Sequence, residues 1–282
     1  MLLTAASSFA QTRNPATEVQ HAQALRRDGD LLGAIRVLEV LVKDAPGDVS
    51  IRSTLDRFRR EFDLQLRMRQ TYGDHFAVSF EGPAEEALAM KAVESLDRAL
   101  ERICAVLNTY PTATIPVVLY TTEQFTDITR APSWAAGAYD GTIRVPMRGA
   151  LVDEQELDRV LAHEFTHVLV HTLAKSPIPT WLNEGVATAL ESDSLAWAES
   201  RVHQAKPVPL AALRRSFGQF TGGQAALAYA TSAIAVQRML QDAGGFAVAN
   251  LIRDLGDGVD FDTAFAHRIQ RSFDDFQAAL QP

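Results

Sequence analysis

Two histidines four residues apart, with a glutamate directly after the first, form the segment His163-Glu164-Phe165-Thr166-His167. On a helix, residues i and i+4 project from one face about one turn apart, which suits two neighbouring positions around a tetrahedral zinc ion. Glu164 falls about 100° around the same helix, so it can reach a water on such an ion without ligating, the placement of a general base. A third donor follows downstream. After the turn Pro177-Ile178-Pro179 a new helix is expected, with Glu184 in its opening turns. Two antiparallel helices joined by a turn of this length bring Glu184 back beside the histidine pair. Three protein donors and one open position describe a catalytic zinc site, one Zn2+ per chain, rather than a closed structural one.

Nearby polar residues divide into helpers and bystanders. His171 continues the spacing at i+8 from His163 but lies roughly 12 Å further along a straight helix, too far for one ion. It reads as a capping or supporting residue. Thr188 and Glu191, at i+4 and i+7 from Glu184, either orient the imidazoles or cap and face solvent. His21, His75, His203 and His267 have no partner at ligand spacing.

The elements that must position this cluster follow from hydrophobic periodicity. His75 to Glu81 alternates as a strand, Pro83 opens an amphipathic helix through Leu107, and Ile115 to Tyr120 is a compact apolar strand. A short helix from Thr122 to Ile128 comes next. Ala138 to Pro146 reads as a hairpin turn leading into a strand, of which Thr142 to Val145 either offers its edge to an extended peptide or is an ordinary sheet edge. After Asp153 the chain is helical to its end, broken at Pro177 to Pro179, Pro207 to Pro209, Gly222-Gly223 and Gly244-Gly245. Strands early and helices late give the class α+β.

Residues Glu18 to Leu66 are helical throughout. Ala22, Leu25, Gly29, Ala34, Leu38, Leu41 and Pro46 are spaced as in one tetratricopeptide (TPR) repeat, which the segment resembles. One repeat cannot bury its own apolar face, so it serves as a structural cap or as a docking module for a protein partner. The expected organisation is residues 1–17 as leader and linker, 18–70 as the TPR-like helical segment and 71–282 as the catalytic domain.

Together, His163-Glu164-Phe165-Thr166-His167 and Trp181-Leu182-Asn183-Glu184-Gly185-Val186-Ala187 resemble the gluzincin metallopeptidases, particularly the small peptidase-MA-like domains in which HExxH is followed by W-L-x-E-G-x-A. The resemblance implies a zincin-type catalytic domain, ligands His163, His167 and Glu184, and Glu164 as the catalytic base. It also points to Tyr229, set among small residues on a later helix, as a donor to the tetrahedral oxyanion; a buried packing aromatic is the alternative. The substrate it implies is a peptide or protein. Sixteen residues separate His167 from Glu184, fewer than in the larger aminopeptidase relatives, and the glutamate-bearing strand with which those enzymes grip a free amine has no clear counterpart near Ala136 to Gly141.

Composition removes other classes. A formal net charge of -8 disfavours a nucleic-acid partner, which needs clustered cations. The basic cluster from Arg57 to Arg69 is interleaved with Asp56, Glu61 and Asp63 and reads as a solvated helix face. No apolar run reaches the ~20 residues of a membrane span. The lone Cys104 reads as a small buried hydrophobe. The start, MLLTAASSFAQT with Ser8-Phe9-Ala10, resembles a remnant of an export signal and implies a periplasmic or secreted protein; a frayed terminus on a cytoplasmic one is the alternative. Two rival readings of function stand beside the peptidase: a zinc hydrolase of a non-peptide amide or ester, and a TPR-bearing scaffold with a vestigial hydrolase domain.

Overall fold

The computed structural model describes residues 14–82, 85–131, 135, 137–147 and 153–280. Ser8-Phe9-Ala10, Pro83 and Ala136 lie outside the described residues. The chain forms two compact units, Met1–Arg67 and Met68–Pro282. Among the described residues no helix is long and apolar enough to cross a membrane.

The first unit holds α1 (Pro15–Arg27), α2 (Leu31–Asp44) and α3 (Val49–Gln65). Asn14, Asp30 and Asp48 cap their N-termini by accepting backbone N–H bonds. Gly29, at φ 86°, makes the turn between α1 and α2. Ala22 and Ala34 are fully buried, so their small side chains let α1 and α2 approach closely. The unit's buried Glu61 is held by Arg26, with Nε 2.6 Å from Oε2, and the charge is thereby paired inside the helical layer.

The second unit is α+β. Its sheet has β1 (Arg69–Tyr72), β2 (Phe76–Phe80), β3 (Ile115–Tyr120), β4 (Ala138–Tyr139) and β5 (Ile143–Pro146), in the order β1-β2-β3-β5-β4. The inner strands β2, β3 and β5 run parallel, and the outer β1 and β4 pair antiparallel to their neighbours. Arg69 therefore belongs to an edge strand rather than to a helix face, and the basic cluster splits there. The segment expected to offer a peptide edge is corrected likewise: β5 is flanked by β3 and β4, and the outermost strand on that side is β4.

Helix α4 (Glu86–Leu107) connects β2 to β3, and α5 (Thr122–Thr129) follows β3. Val117, Leu119, Ile143 and Val145 enter one core with Leu96, Ile103 and the buried Cys104 of α4; burial pushes that thiol up to about 11, so it stays protonated and inert. Alternation turns Arg144 to the other face. There its guanidinium is bound to Asp140 Oδ1 at 2.9 Å and to the Tyr120 hydroxyl at 2.7 Å.

The remainder is helical: α6 (Glu154–Leu173), α7 (Thr180–Leu190), α8 (Ala196–Ala205), α9 (Gly222–Ala243), α10 (Gly245–Gly256), α11 (Phe261–Ile269) and α12 (Phe273–Ala279). Breaks fall at the expected Pro177 to Pro179, Pro207 to Pro209 and Gly244, whereas Gly222-Gly223 open α9 rather than interrupt a helix, and further breaks at residues 191–195, 257–260 and 270–272 were not expected. Helix α6 is capped by Asp153, which accepts from Glu156 N, and buries Leu157, Leu161, Phe165 and Leu169 in the shared core with α4. Burial of such side chains is worth roughly 1.5–3 kcal/mol each, which fixes the face α6 shows to the cleft.

Candidate metal centre and cleft

Helix α6 presents His163 and His167, and α7 returns along it. Trp181 anchors α7: fully buried, it stacks on Phe273 at 6.0 Å and 24° and meets Phe261 edge-on. One turn later Gly185 faces α9, where a Cβ would lie 2.6 Å from the Ser232 carbonyl oxygen and 2.8 Å from Val236 Cγ2. Only a glycine allows that approach, and it brings Glu184 on α7 toward Tyr229 on α9.

The result is a cluster of three donor residues, His163, His167 and Glu184, whose ligand atoms lie within 4.8 Å of one another. Glu184 Oε2 is 3.6 Å from His163 Nε2 and 3.5 Å from His167 Nε2. Donors at about 2.0–2.1 Å from a tetrahedral ion stand roughly 3.3–3.4 Å apart, so both Glu184–histidine separations are close to those around a small divalent cation. The rings are fixed from behind. His163 Nδ1 donates to Glu191 Oε2 at 2.7 Å, and His167 Nδ1 to Asn183 Oδ1 at 3.2 Å. Both Nε2 atoms are thereby left for the centre.

Glu164 is 5% exposed, and its Oε2 finds no hydrogen-bond partner among the described residues. A buried carboxylate oxygen without a partner is costly unless the site supplies one in use, which a cation and a water would. Burial raises the pKa of Glu164, partly offset by His163 and His167. Gly137 packs directly on this carboxylate: a Cβ added there would stand 2.5 Å from Oε1. Burial opposes protonation of His163, yet the surrounding Glu184 and Glu191 carboxylates raise it to about 10. For Glu184 burial works the other way, and His167 and His163 overcome it to hold its carboxyl well below the usual range.

Tyr229 stands at the same centre. Its ring centroid is 6.2 Å from that of His163 and packs edge-on against Phe217 at 5.3 Å. Burial, then the Glu184 and Glu164 carboxylates, push its hydroxyl far above the usual range. It therefore stays neutral, and Tyr229 lines the cleft. The cleft itself encloses about 280 Å³ and runs past His163, Glu164 and Tyr229 to Arg159 and Trp197.

Among the residues read from sequence, His163, Glu164, His167, Glu184 and Tyr229 converge here. Glu191 turns out to orient an imidazole, whereas Thr188 is buried with a hydroxyl lacking a partner among the described residues. His171 points away, exposed, its ring 5.9 Å from Tyr139. Sequence reasoning missed Asn183 and Gly137. Asn183 directly precedes the third donor and carries its own signal, an amide one residue before a ligand; Gly137 had none, since only the fold brings it to Glu164.

Comparison with protein families matches residues 96–275 to the Peptidase MA superfamily. No curated protein matches the chain. The matched span carries the three donors, Glu164 and Tyr229, and covers well over half of the sequence. The chain therefore belongs to the Peptidase MA superfamily.

Proposed function

We propose that this chain is a zinc-dependent peptidase of the gluzincin type, with His163, His167 and Glu184 as ligands, Glu164 as general base and Tyr229 as oxyanion donor. The observation that carries the reading is Glu184 Oε2 at 3.5–3.6 Å from both imidazole Nε2 atoms, in the cleft lined by the buried Glu164, one oxygen of which has no partner among the described residues. Zinc bound there supplies Lewis-acid polarisation of a carbonyl and acidifies a water. Glu164 takes a proton from the attacking water as its oxygen bonds the carbonyl carbon, then delivers that proton to the amine nitrogen as the C–N bond breaks. Tyr229 donates from its hydroxyl to the carbonyl oxygen as negative charge develops on it. The outer strand β4, next to Gly137, offers backbone groups to a substrate in extended form. A scaffold has no use for a buried base, which weighs against a vestigial domain. The three-helix first unit is read as a TPR-like cap.

The test is termini-resolved mass spectrometry of a denatured proteome incubated with the zinc-loaded protein beside its Glu164→Gln variant. New termini with the wild type and none with the variant are expected. No cleavage by a zinc-loaded wild type would retire the peptidase reading in favour of another amide or ester.

A further inference from the structure

Behind the three donors runs a second line of charged contacts. Glu156, Arg159 and His163 follow at i, i+3 and i+7 along α6, and Glu184 and Glu191 stand seven residues apart, Glu191 closing the C-terminal end of α7. Because the two helices run antiparallel, Glu191 arrives beside Arg159 and His163 while Glu184 meets both histidines. Glu191 uses each oxygen once: Oε2 accepts from His163 Nδ1 at 2.7 Å and Oε1 from Arg159 Nη1 at 2.9 Å. The remaining guanidinium edge grips Glu156, with Nε–Oε2 at 2.9 Å and Nη2–Oε1 at 2.7 Å.

Burial separates the contact that matters from the one that does not. Glu156 and Arg159 are 47% and 34% exposed, and an i,i+3 pair in that setting contributes little. Glu191 is only 2% exposed in its side chain, so its charge depends on having both oxygens served. The other imidazole is treated differently. His167 donates to the neutral amide oxygen of Asn183 over the longer 3.2 Å, and bonds to charged acceptors are shorter and about twice as strong.

We propose that Arg159 is a positioning residue for the metal centre: by holding Glu191 Oε1 it keeps Oε2 on His163 Nδ1, which turns Nε2 of that ring toward Glu184 and His167. The proposal rests on the zinc reading above. It makes His163 the donor whose aim is set by a charge pair outside the ligand shell, with His167 independent of it.

The test is the zinc dissociation constant of the purified full-length protein, measured by chelator competition at one pH, with the Tm of each metal-free form recorded alongside. Arg159→Ala is expected to weaken zinc binding roughly 10–100-fold. Arg159→Lys recovers part of this, because an ammonium restores the charge but not the planar fork. Arg159→Ala combined with Glu191→Gln should bind no more weakly than Glu191→Gln alone, since both changes break one contact. Asn183→Ala should cost less than Glu191→Gln. Unchanged affinity in Arg159→Ala, or losses that add in the double variant, overturns the proposal. So does an equal loss in Leu157→Ala, a core variant of the same helix that lowers Tm without touching the pair. Glu164→Gln, which leaves every donor in place, reports on the metal reading separately: zinc bound there and no coupling at Arg159 sinks the pair alone, whereas a wild type that takes up no zinc sinks both.

Discussion

Gly137 lies against Glu164 so closely that a Cβ at that position would fall 2.5 Å from Oε1 and 2.7 Å from Cγ of the glutamate. The strand side of the cleft thus limits where the Glu164 carboxylate, the proposed base, can stand. Gly137→Ala should push the carboxylate aside and lower kcat/KM by roughly 10–100-fold, since displacement of a catalytic group by about 1 Å has that scale of effect. Zinc content should stay at the wild-type level. Steady-state kinetics with metal analysis checks both; full activity in the alanine variant would show that the base tolerates the shift.

The two glutamates should fail in different ways. Glu164→Gln keeps size and hydrogen bonding but accepts no proton, so turnover should fall by about 10² to 10⁴ with zinc retained. Glu184→Ala removes one of three donors and part of the charge balancing the cation, so zinc affinity and activity should fall together. Excess zinc should rescue only the second variant. Tight zinc binding by Glu184→Ala would place the third ligand elsewhere.

Tyr229→Phe leaves the ring on Phe217 and removes only the donor. A contact that strengthens in the transition state should cost roughly 10² in kcat with KM little changed. An unaltered kcat would assign Tyr229 to packing.

On the zinc reading, protons and metal compete at His163. Burial disfavours its charged form, but Glu184 and Glu191 raise its pKa in the metal-free protein to about 10. A histidine raised above its unfolded value of about 6.5 stabilises the fold fully below that pH, and the contribution fades as pH climbs through the folded value. Glu184, lowered, contributes above its unfolded value of about 4.3 and loses that contribution as pH falls past it. The metal-free protein should therefore be most stable in mildly acidic buffer. Because the His163 proton must leave before Nε2 can donate, zinc affinity should rise between about pH 6 and pH 9, by up to about tenfold per unit. Chelator competition across that range measures the slope, and a flat profile would mean that no proton is displaced.

The donors were legible because helical spacing alone places His163 and His167 on one face and a short turn returns Glu184 to them. Several helix boundaries were legible for the same local reason, prolines and glycines standing where α6, α8 and α9 stop, whereas the ends of α7, α10 and α11 were not. What escaped was set by the sheet. The strand Arg69 to Tyr72 is polar and largely exposed, so it carries no alternation to read, and its pairing with β2 decides its state. The interior place of β5 depends on crossovers through α4 and α5 that no local pattern encodes. Gly137 reaches Glu164 only through that same sheet. Glu191 could be read either as an orienting or a solvated residue, and the choice is made by how deeply α7 packs on α6 and α9.

On the zinc reading, residues 159–191 contain all three ligands and the Glu191 and Asn183 acceptors behind the two imidazoles, so most of the centre belongs to one hairpin rather than to the whole domain. An ion held between its arms escapes when that hairpin opens, without waiting for the sheet to unfold. Its residence time is then governed by a local opening of α7, the kind of sub-global motion that hydrogen exchange reports. The close seat of Gly185 on Ser232 resists such an opening, so on this reading the residue next to Glu184 would slow metal exchange while donating nothing to the ion.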